Sequence, residues 1–487
     1  MSAASGVRVD ADGWGWRHLG RSRPAVHDLD LHIEAGQRVL LLGPSGSGKS
    51  TLLRGMAGVL GDDRDGVTEG VLLVDGGAPA AQRGRAGLVL QDPEAQIILS
   101  RVGDDVAFGC ENLGVAPEAM ADRVRDALAD VGLTLPVGHP TARLSGGQKQ
   151  RLALAGVLAM APGLILLDEP TANLDPAGAA AVRDAVRSAV TRRGATLVVV
   201  EHRVDLWREA VDRVVVLNGD GSILADGEPG AVLVDCADAL AAAGVWTGSP
   251  PPPAPRHAPP AGPLLLEAAG LAVGRIRPGT GPEIAAAGIA ARLRSGRTTA
   301  ITGANGSGKS TLAATLAGVR APLSGTVAAA PALRGPLGPD PLRWRSRQLL
   351  PRIGMVFQNP EHQLLTRRVR DELALAPRAL GRSRREVADL VEEFLARLRL
   401  DEVADANPFT LSGGEKRRLT VAAVIAADPR VLVLDEPTFG QDARTWSEVV
   451  AMIRDRRDAG AAVAVVTHDA PLVAALADER IVLGSAA

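Results

Sequence analysis

One short stretch occurs twice, almost unchanged, and it limits the fold more than any other feature of the chain. Its copies are Leu40–Thr51 (LLLGPSGSGKST) and Ala300–Thr311 (AITGANGSGKST). Each reads as a buried strand, the pattern G-x-x-x-x-G-K-S and the start of a helix, which is the phosphate-binding P-loop. The glycines let backbone N–H groups turn around a phosphate, the lysine reaches its oxygens, and the serine hydroxyl is a ligand for Mg²⁺. Two copies predict a tandem nucleotide-binding protein.

The predicted phosphate-binding residues run from the first glycine of each motif to the threonine after its serine. They are Gly43, Pro44, Ser45, Gly46, Ser47, Gly48, Lys49, Ser50 and Thr51, and in the second copy Gly303, Ala304, Asn305, Gly306, Ser307, Gly308, Lys309, Ser310 and Thr311. The repeat continues beyond the loops, because other residues recur at a nearly constant spacing. The pairs are Gln91 with Gln358, Ser145 with Ser412, Asp168 with Asp435, and His202 with His468.

This register predicts two duplicated domains, at 1–247 and 264–487, in a chain of 487 residues that is too long for a single core. The stretch between them, Gly248–Pro263, reads GSPPPPAPRHAPPAGP. Such a density of proline favours extended polyproline II and excludes helix and sheet, so we interpret this stretch as a tether. The second copy is slightly longer between its P-loop and Gln358, and we predict the insertion within Pro331–Pro351.

Apolar periodicity within each copy indicates an α/β domain. Helical spacing appears in Pro117–Val131 and Arg384–Leu398. Apolar runs of the kind found in buried parallel strands occur at Leu164–Leu167, Val431–Leu434, Leu197–Val200 and Ala462–Val466. Segments rich in β-formers, Val26–Leu42 and Gly288–Thr302, lead into the P-loops. The predicted fold class is therefore α/β, with two tandem P-loop NTPase domains, each a mainly parallel sheet core with a β-rich subdomain and a helical subdomain.

Bulk properties exclude some classes of function. The formal net charge of −2 argues against a general nucleic-acid partner. The two cysteines, Cys110 and Cys236, fit neither a metal-binding spacing nor a disulfide framework, which indicates a reducing cytoplasm. Neither a secretory signal nor an apolar run long enough to span a bilayer is visible, so a partner would have to supply any membrane-spanning part.

A second repeated motif decides among the classes that contain a P-loop, which include kinases, GTPases, helicases and transporters. It reads LSGGQKQR at Leu144–Arg151 and LSGGEKRR at Leu411–Arg418. A serine and two glycines at a helix N-terminus form a second anion site. The residues concerned are Ser145, Gly146, Gly147, Ser412, Gly413 and Gly414. With two motif sets in this order, the chain resembles the ATP-binding cassette (ABC) family, and the fold it implies is ABC-type.

The resemblance assigns roles position by position. It makes Lys49 and Lys309 phosphate ligands, and Asp175 and Asp442 part of the loop that crosses between domains. The Mg²⁺ ligands that it implies are Ser50, Gln91, Asp168, Ser310, Gln358 and Asp435. The catalytic residues that it implies are the water-polarising Glu169 and Glu436, the γ-phosphate contacts His202 and His468, and Gln91 and Gln358 near the attacking water. The cofactors implied are ATP and Mg²⁺. Family domains pair head-to-tail, so each P-loop would meet the other copy's LSGG, and both sites are predicted to hydrolyse ATP.

Two departures from the family pattern bear on the base. The family stacks adenine on an aromatic residue ahead of the P-loop, which predicts Trp16, or less favourably Trp14, in the first half. The corresponding Leu271–Arg277 contains no aromatic residue. Arg275 could stack its guanidinium there or lie in a solvated loop, so the second site is expected to bind the base less tightly. The second crossing loop also reads TFGQD in place of TANLD.

The stretch after Gln91, QDPEAQIILSRVGDDVAFGCENLG, resembles the ATPases of energy-coupling-factor (ECF) transporters, importers of vitamins and metal ions. The stretch after Gln358, QNPEHQLLTRRVRDELALAPRALG, is similar but differs in detail. The resemblance implies an integral membrane coupling protein bound near Gln91 and Gln358, a separate substrate-binding membrane protein, and a peripheral location on the cytoplasmic face of the membrane.

Two alternatives stay open. One is an ATPase of another ABC importer, and the other is a soluble twin-cassette ABC protein that acts on ribosomes or DNA. The proline-rich linker, the lack of cluster-forming cysteines and the overall charge argue against the second. No residue of this chain reports the transported substrate.

Overall fold

The computed structural model describes residues 6–19, 21, 23–61, 64–172, 174–246, 260–277 and 281–484. The chain divides into two compact units, Met1–Ser249 and Pro250–Ala487. Each unit combines a mainly parallel sheet, a three-stranded antiparallel sheet and a set of helices. Most of the predicted linker lies outside the described residues.

The elements of the first unit follow the predicted alternation of strands and helices. The strands are β1 Val9–His18, β2 Val26–Ile33, β3 Arg38–Leu42, β4 Gly66–Val74, β5 Ala86–Val89, β6 Leu164–Asp168, β7 Thr196–Val200, β8 Arg213–Leu217 and β9 Ile223–Gly227. The helices are α1 Lys49–Met56, α2 Val102–Asn112, α3 Pro117–Asp130, α4 Gly146–Ala159, α5 Pro176–Arg193, α6 Val204–Trp207, α7 Pro229–Asp235 and α8 Ala237–Ala243.

The large sheet of the first unit has the order β5-β6-β7-β3-β8-β9. All its pairs are parallel except the β8–β9 hairpin. Strands β3, β6 and β7 are almost continuously apolar and buried, as strands covered on both faces must be. The antiparallel sheet has the order β2-β1-β4, and its apolar face shares one core with α1 and the large sheet.

The second unit repeats this plan. Its strands are β10 Leu264–Arg277, β11 Gly281–Arg294, β12 Thr298–Gly303, β13 Ser324–Ala329, β14 Ile353–Val356, β15 Val431–Asp435, β16 Ala462–Val466 and β17 Glu479–Leu483. Its helices are α9 Lys309–Leu316, α10 Pro331–Arg334, α11 Ser346–Leu349, α12 Val369–Ala379, α13 Arg384–Leu398, α14 Gly413–Ala426, α15 Ala443–Asp458 and α16 Ala470–Leu476.

The large sheet of the second unit has the order β14-β15-β16-β12-β17 and is parallel throughout, and the antiparallel sheet has the order β11-β10-β13. The predicted insertion is confirmed in position. The connection between β13 and β14 runs over 330–352 and carries α10 and α11, whereas its counterpart between β4 and β5 spans only 75–85.

The sequence predicted the elements that position the P-loops and the strand ends. The α/β class and both mid-domain helices, α3 and α13, are confirmed, as are the strands β6, β7, β15 and β16. In each unit the carboxyl ends of the parallel strands lie at one edge of the sheet, where the P-loop also begins. This edge is where ligands bind in open α/β sheets.

Among the described residues, no helix combines the length and the apolar character that crossing a membrane requires.

Candidate nucleotide-binding sites

Each P-loop joins the central strand of its sheet to a helix that begins at the motif lysine, β3 to α1 and β12 to α9. Gly48 has φ 85°, and a β-carbon there would lie 2.2 Å from the carbonyl oxygen of Ala25. Only glycine can therefore occupy this turn. The loop curls back far enough that Lys49 Nζ donates to the carbonyl oxygens of Gly43 and Pro44, both at 2.8 Å.

The second P-loop has the same geometry. Lys309 Nζ donates to the carbonyl oxygens of Gly303 at 2.9 Å and of Ala304 at 2.8 Å. Both lysines are buried. An ammonium group in the hollow of a glycine-rich loop, beside the N-terminus of a helix, forms a site for a phosphate anion.

The acidic pairs lie directly beyond the parallel strands. Asp168 and Asp435 end β6 and β15 and are buried. The next residues, Glu169 and Glu436, have φ of 50° and 51°. A non-glycine residue pays an energetic cost for this left-handed conformation, and such strain concentrates at functional sites. The same conformation occurs at both equivalent positions, so the backbone presents the two carboxylates in the same way at the strand ends.

The pKa values of the two glutamates are shifted in opposite directions by their surroundings. Burial, with a contribution from the Glu169 charge, raises the pKa of Asp168 to about 6. Burial alone would raise the pKa of Glu169, but the His202 imidazole and the Lys49 ammonium reverse the effect and lower it. In the second unit burial, together with the Asp435 charge, raises the pKa of Glu436 to about 8. The first glutamate is thus held as a carboxylate more firmly than the second.

The predicted glutamine and histidine converge on the acidic pair in the first unit. Gln91 Nε2 donates to Glu169 Oε2 at 2.7 Å, and His202 Nε2 lies 3.2 Å from Glu169 Oε1. Strand β7 delivers His202 to this point, since the histidine follows two residues after the strand ends. The sequence therefore predicted a cluster that the fold does assemble.

The second unit brings the equivalent residues to the same edge but connects them differently. The imidazole Nε2 of His468 lies 3.0 Å from Asn305 Oδ1 in the P-loop. Gln358 Oε1 accepts from the Ser310 hydroxyl at 3.4 Å. Glu436 accepts from the His468 backbone N–H and from the Thr467 hydroxyl, both at 3.0 Å. Both units contain the same residue types, yet the two glutamates have different partners.

The donor set beside each P-loop suits a hard divalent cation. In the second unit it consists of the Ser310 hydroxyl, the Gln358 amide oxygen and the Asp435 carboxylate. Asp435 Oδ1 is buried and has no hydrogen-bond partner among the described residues. Burial raises the pKa of Asp435, and the Ser310 hydroxyl opposes that rise. An orphaned buried carboxylate oxygen beside a hydroxyl and an amide oxygen fits Mg²⁺, which binds through few protein oxygens and the phosphates of a nucleotide.

The two LSGG motifs open long helices. Ser145 is the N-cap of α4 and Ser412 the N-cap of α14, each in a reciprocal capping box with the residue at the third helical position. That residue is Gln148 in the first unit and Glu415 in the second. The next lysine in each motif pairs with a glutamate of the segment that follows Gln91 or Gln358, the predicted Q-loop glutamines of the two units. The pairs are Lys149 with Glu94 and Lys416 with Glu361, both at 2.5 Å.

The structure contradicts the prediction that Trp16 stacks a base. Trp16 is only 4% exposed and packs within the core between the two sheets, and the alternative Trp14 is buried there as well. A buried indole offers no face to a nucleotide, so the prediction for Trp16 is wrong. Trp16 Nε1 instead donates to Nδ1 of His18, the last residue of β1.

His18 is the residue that the sequence analysis missed. Its ring is half-buried, and its Nε2 lies 3.4 Å from Oγ1 of Thr51 in the P-loop helix. Burial, with the charges of Arg21 and Arg54, lowers the pKa of His18, so the imidazole is neutral near pH 7. The sequence could have indicated His18, because residues two apart on a strand share a face and His18 follows Trp16 by two. In the second unit Arg275 is exposed, as the favoured solvated alternative expected, but it lies on strand β10 and not in a loop; the stacking alternative is not tested.

The fold and these clusters can now be compared with known proteins. Residues 26–172 and 287–439 both match the family model described as ABC transporter, which together is more than half of the chain. The chain belongs to the ABC transporter family. It is an ATP-binding ATPase of that family, with one family region in each unit, and the P-loop and β6 or β15 lie within each region.

Relatives of this ABC ATPase align with it over most of both chains. It is 36% identical to YkoD of Bacillus subtilis (strain 168), provisionally named an HMP/thiamine import ATP-binding protein, over 95% of this chain and 87% of that protein. It is 31% identical to a Methanosarcina acetivorans protein provisionally named an ABC transporter ATP-binding protein, over 94% of this chain and 81% of that protein. Both alignments extend across the two units, so the duplication is common to these relatives.

Solved structures include two similar chains. CbiO1 from Clostridium perfringens, part of the ABC transporter complex CbiONQ, is 29% identical over 48% of this chain and 96% of that chain, with a TM-score of 0.41. The archaeal ribosome recycling factor aABCE1, solved with a ribosomal stalk protein, is 19% identical over 96% of this chain and 87% of that chain, with a TM-score of 0.60. At that identity, the second likeness shows a shared fold.

Proposed function

We propose that this chain is the ATPase subunit of a membrane importer of the ECF type, with an ATP site in each unit. The observation that carries the proposal is the duplicated cluster of P-loop lysine, buried aspartate, strained glutamate and histidine at the carboxyl edge of each parallel sheet. Support for import comes from the name of the relative YkoD, and support for the ECF type comes from the residues after Gln91. An ATPase of another ABC importer is the alternative.

The chemistry of the proposed site is charge neutralisation and positioning of water. Lys49 and Lys309 would hold the phosphates of ATP. Mg²⁺ would be held by Ser50, Asp168 and Gln91 in the first unit and by Ser310, Asp435 and Gln358 in the second, and it would neutralise charge on the phosphate oxygens. Glu169 and Glu436 would orient and polarise the attacking water, and His202 and His468 would contact the γ-phosphate. The head-to-tail use of the LSGG motifs, which the family resemblance implies, stays a prediction.

A surface for the membrane partner follows each predicted Q-loop glutamine. Ile98 is 60% exposed and its counterpart Leu365 is 76% exposed. A glutamine side chain holds the backbone before each of them in place. Gln96 accepts from the Leu90 backbone N–H and donates to the Leu88 carbonyl oxygen, and Gln363 makes the equivalent two hydrogen bonds in the second unit. Single exposed apolar side chains are common on protein surfaces, so the proposal depends on the position of these two, each at the equivalent place after Gln91 or Gln358 in its unit. We propose that the coupling protein binds there.

Charging this surface tests the importer proposal. The Ile98→Asp and Leu365→Asp double variant is expected to reduce binding of the full chain to its membrane partner at least about tenfold, because a desolvated carboxylate is costly in an apolar contact. The measurement is affinity purification from detergent-solubilised membranes of the native cell, with integral membrane proteins identified by mass spectrometry.

A matched control is Val234→Asp, which charges a residue 72% exposed on α7, outside the proposed surface. It should copurify with the same membrane proteins as the parent chain. Recovery of ribosomal subunits in place of integral membrane proteins would refute the importer proposal in favour of the soluble alternative. Equal recovery with the double variant would refute the docking surface.

We also propose that His18 contacts the base at the first site. His18→Ala is expected to weaken ATP binding there about two- to tenfold, since an aromatic stack contributes about 0.5–1.5 kcal/mol. Trp16→Phe keeps an apolar ring in the core but removes the Nε1–H donor to His18, so it should weaken binding less than His18→Ala does. Calorimetric titration of both variants with ATP decides the point. Weaker binding by the Trp16 variant with normal binding by the His18 variant would reverse the assignment.

A further inference from the structure

The residues on either side of the site histidine differ between the two units. The first unit has Glu201–Arg203 (EHR) after β7, and the second has Thr467–Asp469 (THD) after β16. A carboxylate therefore precedes the histidine in one unit and follows it in the other. None of the roles proposed above includes these flanking carboxylates, yet both make several hydrogen bonds.

Glu201 is a buried acceptor for three donors. Glu201 is only 2% exposed to solvent. Its Oε1 accepts from the backbone N–H of Thr171 at 2.9 Å and from the hydroxyl of the same threonine. Its Oε2 accepts from the backbone N–H of His202 at 3.2 Å. A buried carboxylate is costly unless it is hydrogen-bonded, and these three contacts provide that compensation.

In the second unit the equivalent threonine bonds to the carboxylate that follows the histidine. Thr438 Oγ1 donates to Asp469 Oδ2 at 2.8 Å, and Trp446 Nε1 donates to the same oxygen at 2.6 Å. Each unit thus ties the threonine that follows its strained glutamate to a carboxylate beside the histidine. In the second unit the other oxygen of that carboxylate, Asp469 Oδ1, accepts from the Leu472 backbone N–H, and it is Glu436 that accepts the His468 N–H.

The position of this carboxylate, before or after the histidine, determines which groups the strained glutamate contacts. Glu436 uses both oxygens at the end of the neighbouring strand β16, for the Thr467 hydroxyl and the His468 N–H. In the first unit Glu201 accepts the equivalent N–H and supplies no hydroxyl donor. Both oxygens of Glu169 are therefore turned to Gln91 and to the His202 imidazole.

We propose that Glu201 is a positioning residue of the first ATP site: by accepting the His202 backbone N–H and both donors of Thr171, it leaves the Glu169 carboxylate facing Gln91 and the His202 ring. This inference rests on the proposed function, because it concerns how Glu169 is presented to water. The second site has no such residue, and its Glu436 carboxylate faces the Thr467 hydroxyl and the His468 backbone N–H. The first site therefore begins its reaction from a better-placed carboxylate.

Two variants separate positioning from simple anchoring of Thr171. Glu201→Thr removes the carboxylate and supplies the hydroxyl that the second unit has. The double variant Glu201→Thr with Arg203→Asp rebuilds the whole THD arrangement, with its own carboxylate for Thr171. Arg203 is exposed, so the second change perturbs no buried group. The full chain is used with Glu436→Gln in the second unit as the parent, so that turnover comes from the first site, and kcat and KM for ATP are measured with the thermal unfolding midpoint. Glu169→Gln in the same parent is the reference for loss of the first site.

Glu201→Thr should lower both the unfolding midpoint and kcat. The double variant should recover the midpoint but not the rate: its kcat should fall towards that of Glu169→Gln, on the order of tenfold for the first site, with KM nearly unchanged. Recovery of both quantities would mean that Glu201 only anchors Thr171 and would overturn the inference. A Glu169→Gln variant as fast as the parent would overturn the proposed function itself, which is a different result.

Discussion

Glutamine in place of Glu169 or Glu436 is expected to slow ATP hydrolysis at that site about a hundredfold or more, because general-base catalysis contributes about 10²–10⁴ to a rate. ATP binding should persist, since the substitutions leave both P-loops and their lysines, the proposed phosphate ligands, unchanged. Glutamine has nearly the same shape as glutamate, and it keeps one oxygen for the donors at the strand end. The strained backbone at φ near 50° should therefore survive the change.

Phosphate release and nucleotide retention are measured together for each single variant and for the pair. Each single variant should lose part of the parent rate, and the pair should lose nearly all of it while still binding ATP. Glu118→Gln, at an exposed position in the first turn of α3, is the matched control and should hydrolyse ATP at the parent rate. A single variant that hydrolyses ATP at the full rate would show that its glutamate is not the base of a working site.

The difference between the two glutamates could not be predicted from the motifs. In sequence Asp168–Glu169 and Asp435–Glu436 look interchangeable, since both follow a four-residue apolar run. What separates them is which donors the following loop presents, and that depends on side chains beside the histidine that belong to no motif. Local patterns predict strands and P-loops because the P-loop requires its glycines and the strands require apolar residues on both faces. They do not predict how hydrogen bonds are shared within a buried cluster.

The sequence also could not identify which ring on β1 stays accessible beside the P-loop helix. Strand β1 contains Trp14, Trp16 and His18, and alternation alone places all three on one face. The register against β2 and β4 shifts along this strand, so which ring is covered depends on the bulges and on what packs above it. The core between the sheets covers both indoles, and the imidazole at the strand end stays beside the P-loop helix. The choice of Trp16 considered only which aromatic residues precede the P-loop. It ignored their position along the strand, which determines which rings are buried in the core.

Methionine in place of Lys49 and Lys309 is expected to abolish tight ATP binding, at least about a hundredfold in affinity when both are changed. A desolvated charge–phosphate contact is among the stronger hydrogen bonds in proteins, at about 1.5–3 kcal/mol each. Each lysine also bridges two carbonyl oxygens of its own loop. Methionine fills the same volume but donates nothing, so these carbonyls lose a partner and the loop loses the ammonium that holds its curvature.

Equilibrium binding of ATP, measured by calorimetry for each single variant and for the pair, tests this expectation and the independence of the two loops. Arg125→Ala is the control, because it removes an exposed cation from α3, outside both P-loops, and should bind ATP as the parent does. If each lysine serves its own site, each single variant should lose one binding event and keep the other. Because the loops have the same geometry, loss of both events from one substitution would show that ATP binding at one unit depends on the other.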